Sequence, residues 1–208
     1  MADMDTLADI ASFMVPDLPG CESGVIVRYL RRATNRFLQD TEVWERDVTV
    51  DLIEDQALYN IALADSMVRR IKRVRYIDPD TDVAKNEFAG REINLGYVRL
   101  NRDPDSLYIM PQKVPTEAEE GYQAIVKVVD VPDITSDILD AEMITRWSEG
   151  FRYRAMYELT LLKDRPWSDV DLANRYLADY LAEVNRARFE SLHLDRSVSL
   201  RMQAPSFT

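Results

Sequence analysis

Apolar residues recur at helical spacing from Ser23 onward: Ile26, Tyr29, Leu30, Ala33 and Phe37 share one side, and Arg28, Arg31, Arg32, Asn35, Arg36 and Gln39 the other. The pattern predicts an amphipathic helix with a core face and a basic face, with Ser23 as its N-cap. After a break at Asp40-Thr41 the period falls to two. Trp44, Val48, Val50 and Leu52 alternate with Glu45, Asp47, Thr49 and Asp51, as in a strand buried on one face. Upstream, Asp3 to Met14 places Leu7, Ile10, Ala11 and Met14 on one face of a short helix, which Pro16, Pro19 and Gly20 end.

Short apolar runs predict further strands at Ala57 to Ile61, Met67 to Ile77, Ile93 to Leu100, Ser106 to Met110 and Tyr122 to Val131. The first two would continue the strand before them as a hairpin-like meander. Asp78 to Glu92 lacks periodicity and reads as a long exposed loop, and Pro111 to Gly121 as an acidic one carrying Glu117, Glu119 and Glu120. The helical period then returns. Ile144, Trp147, Phe151, Ala155, Leu159 and Leu162 form one stripe, in which Gly150 is a local weakness. Lys163 to Trp167 is a tight connection, and Ser168-x-x-Asp171 reads as a capping box opening a second helix through Ala173, Tyr176, Leu177, Tyr180, Leu181, Val184 and Ala187. Two helices joined so closely should pack antiparallel.

The expected class is therefore α+β: an antiparallel helical bundle of the N-terminal helix and two C-terminal helices, a β-rich antiparallel insert, and an extended C-terminal arm. The expected segments are 1–40 for the first helices, 41–132 for the insert, 133–194 for the helix pair and 195–208 for the arm.

Composition narrows the function. Hydrophobic residues make up 46% of the 208 and charged residues 30%, and no apolar run approaches the roughly 18 residues that would span a membrane. The acidic N-terminus does not resemble a secretory signal, so an intracellular product is expected. A single cysteine, Cys21, excludes an internal disulfide framework and a multi-cysteine zinc site. The net charge of -11 argues against a protein whose main task is to grip nucleic acid by its phosphates.

Catalytic patterns fail one by one. Cys21 and His193 are the one possible thiol–imidazole pair, and neither has a local context that would activate a thiolate. Gly20-Cys21-Glu22-Ser23-Gly24 has its serine one place late for a nucleophile elbow. Asp78, Asp80 and Asp82 imitate a calcium loop, but Val83 stands where glycine is needed and Ala89 where the bidentate glutamate belongs. With no glycine-rich phosphate loop either, the expectation is a protein that is not an enzyme, with no catalytic residue, metal site or cofactor.

Two features suit interaction instead. Arg69, Arg70, Lys72, Arg73 and Arg75 put cations on both faces of one expected strand, which implies an edge strand or a face toward a partner. In the terminal arm Val198, Leu200 and Met202 alternate with Ser197, Ser199 and Arg201, a strand that could add to a sheet edge on another chain.

Three tracts in this order, PGCESGVIVRYLRRATNRFLQDTEVWERDVTVDLIEDQALYNI, LYIMP and ITRWSEGFRYRAMYELTLLKDRPWSDVDLANRYLADYLAEVNRARFE, resemble the head-to-tail adaptor (head completion, connector) proteins of tailed bacteriophages, of the tail tubular protein A type. The resemblance covers most of the chain. It implies a structural virion protein that forms an oligomeric ring, commonly of twelve, between the portal protein and the tail tube or nozzle. DNA would pass through the lumen without sequence-specific binding and without any membrane partner. It also implies a place at the head–tail junction, with assembly in the host cytoplasm. On that basis Val198, Leu200, Met202 and Phe207 are expected to form a portal-binding arm. Arg28, Arg32, Arg36, Arg69, Arg70 and Arg73 are expected at the subunit interface, pairing with acidic faces of adjacent subunits around an acidic bore. The alternative is a DNA-binding or regulatory protein that uses Arg28 to Arg36 and Arg69 to Arg75 as its footprint.

Overall fold

A computed structural model describes residues 6–64, 66–78, 90–102, 105–132 and 139–194. The arm from 195, residues 133–138 and most of the loop expected at 78–92, including Asp80, Asp82, Val83 and Ala89, lie outside the described residues.

The chain is α+β, with four α-helices and two antiparallel sheets among the described residues. The helices are α1 (Leu7–Met14), α2 (Ser23–Thr41), α3 (Ala141–Thr160) and α4 (Val170–Leu194). The strands are β1 (Glu45–Asp51), β2 (Leu58–Asn60), β3 (Ser66–Ile77), β4 (Arg91–Ile93), β5 (Val98–Arg102), β6 (Asp105–Ile109) and β7 (Gln123–Pro132). Helix starts follow local chemistry, at positions partly different from those expected. Thr6 and Asp9 form a reciprocal capping box at α1. Ser23 is the first helical residue of α2, not its cap; Glu22 holds the cap position and makes no side-chain bond. At α4 the Ser168–Asp171 box is not formed. Asp169 caps instead, its Oδ1 accepting from the Leu172 amide at 2.9 Å, because the helix begins one residue later than the box requires.

The expected meander is not found. One sheet has the order β1-β7-β3-β4 and the other β2-β6-β5, so β1, β2 and β3 are never neighbours. β1 and β3 each pair with the distant β7, and β2 with β6, and periodicity carries no information about partners. The run expected as a single strand from Ile93 to Leu100 is divided: β4 ends at Ile93, a 3₁₀ turn at Leu95–Tyr97 follows, and β5 continues in the other sheet. Asn94 makes the switch by accepting a hydrogen bond from the Gly96 amide at 2.8 Å.

Two apolar cores result. The first joins all four helices: Ile26, Leu30, Ala33 and Phe37 of α2 pack with Trp147, Phe151 and Leu159 of α3 and Tyr180, Val184 and Ala187 of α4. Phe37 is its centre, in ring contact with Trp147, Phe151 and Tyr180 at centroid distances of 5.6, 5.3 and 6.2 Å. The second lies between the sheets, where Val68, Ile71, Val74 and Tyr76 of β3 and Ala124, Val126 and Val128 of β7 meet Tyr59, Leu107 and Ile109. Trp44, expected within the strand alternation, precedes β1 and is buried in the helical core. Its carbonyl still accepts from the Asp130 amide at 3.0 Å, extending the ladder by one bond.

Candidate functional site

The cations of β3 explain themselves through its register. Pairing with β7 shifts between Val68 and Arg70 and again between Ile71 and Arg73, so Arg69 and Lys72 are the extra residues of two bulges. Val68, Ile71 and Val74, three apart, therefore all face the sheet core, while Arg70, Arg73 and Arg75 share the other face. The expectation that this strand is an edge or faces a partner is corrected in part. β3 lies between β7 and β4, although β4 covers only Val74 to Tyr76. Arg75 is itself buried, opposite Glu92 in the register.

Several of these cations are already engaged. Arg70 pairs with Glu42 at 3.1 Å. Lys72 bonds Glu45 and also reaches Ser191 of α4 at 3.0 Å, so it ties the sheet to the last turns of that helix. Lys127 approaches the same Glu45 at 3.8 Å. Arg69 is exposed and Arg73 half-buried. Such internal pairing subtracts from any footprint for nucleic-acid phosphates.

On α2 the expected polar side divides into two. Arg31, Asn35 and Gln39 are half-buried. Asn35 donates to the carbonyl of Pro132 at 2.6 Å and accepts from Gln39 at 2.6 Å, which joins the helix to the end of β7. Arg31 lines an apolar hollow of about 320 Å³ with Thr6, Leu7, Val27, Leu139 and Ile144, where it is the one charged lining residue among the described residues. Arg28, Arg32 and Arg36 are exposed, at i, i+4 and i+8. The guanidinium groups of Arg28 and Arg32 lie 5.8 and 5.5 Å from the centroid of the Tyr29 ring between them. Arg36 bonds Asp40 at 3.1 Å.

A feature missed in the sequence stands opposite in charge. β1 is the outermost strand of its sheet, with Asp47, Thr49 and Asp51 exposed. Past it the chain turns through Ile53-Glu54-Asp55-Gln56, closed by the Gln56 amide on the Ile53 carbonyl at 3.1 Å, with Asp55 left-handed at φ 56°. The loop before β7 is bonded to this turn, through Asp55 to Pro115 at 3.1 Å and Gly121 to Leu52 at 3.2 Å. Exposed Glu117 and Glu120 thereby join Asp51, Glu54 and Asp55 in one acidic apex, with the half-exposed side chain of Ile53 (51%) among them. The alternation of acids in β1 was visible in the sequence. The convergence of two loops was not.

Cys21 is half-buried, and burial, partly countered by nearby Arg165, pushes its thiol pKa up, away from an activated thiolate. The side chain of His193 lies outside the described residues. Among the described residues no group of histidine, cysteine and carboxylates could hold a metal ion, and no helix is long and apolar enough to cross a membrane.

No protein-family model matches the chain, and no curated protein matches it. A solved structure, "Neck of empty GTA particle computed with C6 symmetry", contains a chain similar over 82% of this one and 87% of its own length, at 13% identity and a TM-score of 0.32.

Proposed function

We propose that the chain is a structural protein of a tailed-phage type of virion, a head-to-tail adaptor whose copies form a ring, commonly of twelve, between portal and tail. The observation that carries this reading is the placement of the tracts that resemble the adaptor family. Thr41 to Trp44 turns α2 into β1, every described strand falls before α3, and Arg165-Pro166-Trp167 joins α3 to α4. In this reading 1–40 and 133–194 form an antiparallel bundle, 41–132 is its insert, and the arm 195–208 docks on the portal through Val198, Leu200, Met202 and Phe207. Arg28, Arg32, Arg36, Arg69, Arg70 and Arg73 contact neighbouring copies, and DNA slides through a bore without base recognition. The role is mechanical, at the head–tail junction after assembly in the host cytoplasm, with no reaction catalysed.

The test is co-assembly with the portal protein, followed by electron microscopy. The full chain should add a ring to the portal, and a chain lacking 195–208 should remain folded yet fail to join it. Normal joining by the truncated chain would remove the arm's role. A full chain that never associates with portals, but is retained on double-stranded DNA in a steeply salt-dependent way, would favour the regulatory alternative.

A further inference from the structure

Resting on that reading, we infer that neighbouring copies meet head to tail, the basic face of α2 in one receiving the acidic apex of β1 and its flanking loops in the next. Both surfaces are exposed and opposite in sign, one on the helix before the α2–β1 junction and the other on the strand after it. They also match in length. Arg28 to Arg36 spans about 12 Å along a helix, and Asp47 to Asp51 spans about 13 Å along a strand. Among the described residues Arg28 and Arg32 have no carboxylate partner, and Asp47, Glu54, Asp55, Glu117 and Glu120 have no cationic one.

Each surface also has an apolar centre inside its charged rim. On α2 the half-buried Tyr29 ring, which also packs against the helical core, has the Arg28 and Arg32 guanidinium groups within 6 Å of its centroid, and on the apex Ile53 stands exposed among carboxylates. An apolar contact ringed by ion pairs is the ordinary anatomy of a protein interface. Because the two patches differ, a copy that uses both cannot close a two-fold dimer on one contact. Head-to-tail pairing of unlike patches generates a ring when the rotation closes. The outer edge of β1, which pairs with no other described strand, is likewise covered in such a contact, a common fate for exposed strand edges.

The experiment uses the full chain and two variants, one carrying Arg28→Glu, Arg32→Glu and Arg36→Glu, the other Asp47→Lys, Asp51→Lys and Glu54→Lys. All substituted positions are exposed, and far-ultraviolet circular dichroism with thermal melting checks that each variant is folded. Sedimentation velocity and native mass spectrometry at low ionic strength should find oligomers of the wild type that weaken at least tenfold in association constant as salt rises. Each variant alone should be monomeric. Mixed one to one they should assemble again, because each then offers the other two patches of opposite sign, and the mixed rings should alternate. Wild-type oligomers that persist in both variants would overturn this pairing of faces and leave the ring reading intact. A wild type that stays monomeric at every salt concentration would also overturn it, while co-assembly with the portal would still decide the adaptor reading.

Discussion

Gly150 of α3 lies against the ring of Phe37 of α2: a Cβ at this position would stand 2.5 Å from Phe37 Cε2 and 2.9 Å from Cδ2. What the sequence presents as a helix weakness is a close-packing position. Alanine would gain about 1 kcal/mol of helix propensity here, but the buried ring, held by three aromatic neighbours, has little room to move. Gly150→Ala is expected to destabilise the chain by about 1–3 kcal/mol as an overpacked core. Urea unfolding would measure it, and Phe37→Leu in the same chain should recover part of the loss.

Arg46 and Asp130 Oδ2 form an ion pair inside the sheet, with Asp130 fully buried and its Oδ1 lacking a hydrogen-bond partner among the described residues. Arg46 also donates to Ser66 Oγ at 2.6 Å and stacks on Trp44 at 4.8 Å. Arg46→Met keeps the bulk but strands the carboxylate, at an expected cost of about 3 kcal/mol. Adding Asp130→Leu to that variant should restore stability. A cost under about 1 kcal/mol for the single change would show that water reaches Asp130.

Tyr180 donates to Asp40 Oδ2 at 2.8 Å, and burial first, then that carboxylate, raises its pKa above the usual phenol range. Tyr76, bonded to the Lys113 carbonyl at 3.2 Å, is raised mainly by burial. The folded chain thus holds two protons that the unfolded chain releases near pH 10. Stability from these groups is complete below that pH and is lost as pH climbs toward the folded values. Chemical denaturation from pH 8 to 11 should show the fall, and Tyr180→Phe should make it shallower, leaving the share of Tyr76, while costing about 1–2 kcal/mol at neutral pH for the lost charged hydrogen bond.

Asp169, not Ser168, caps α4. Asp169→Ala should lower stability by about 1 kcal/mol, whereas Ser168→Ala should stay within about 0.5 kcal/mol. Equal effects would contradict this cap.

Lys72 joins the sheet to α4 through Glu45 and Ser191. Lys72→Met should leave the bulge in place but loosen that tie. Faster amide exchange confined to the last two turns of α4 is the expected signature.

The sequence by itself determined the helices, most strands and the α+β class, because hydrophobic period is a property of one segment facing one core. The apolar stripe of α2 and the alternation of β1 needed no partner to be seen. Tertiary structure alone decided the pairing order, since β1 and β3 both take β7 across long stretches of chain. It also decided the two bulges that turn a seemingly two-faced basic strand into one with an apolar face, and the sheet switch at Asn94. For the candidate surface, the arginines of α2 were legible because helical spacing brings them together locally. The acidic apex was not, because Asp51 to Asp55 and Glu117 to Glu120 become neighbours only when β1 and β7 pair and their loops hydrogen-bond.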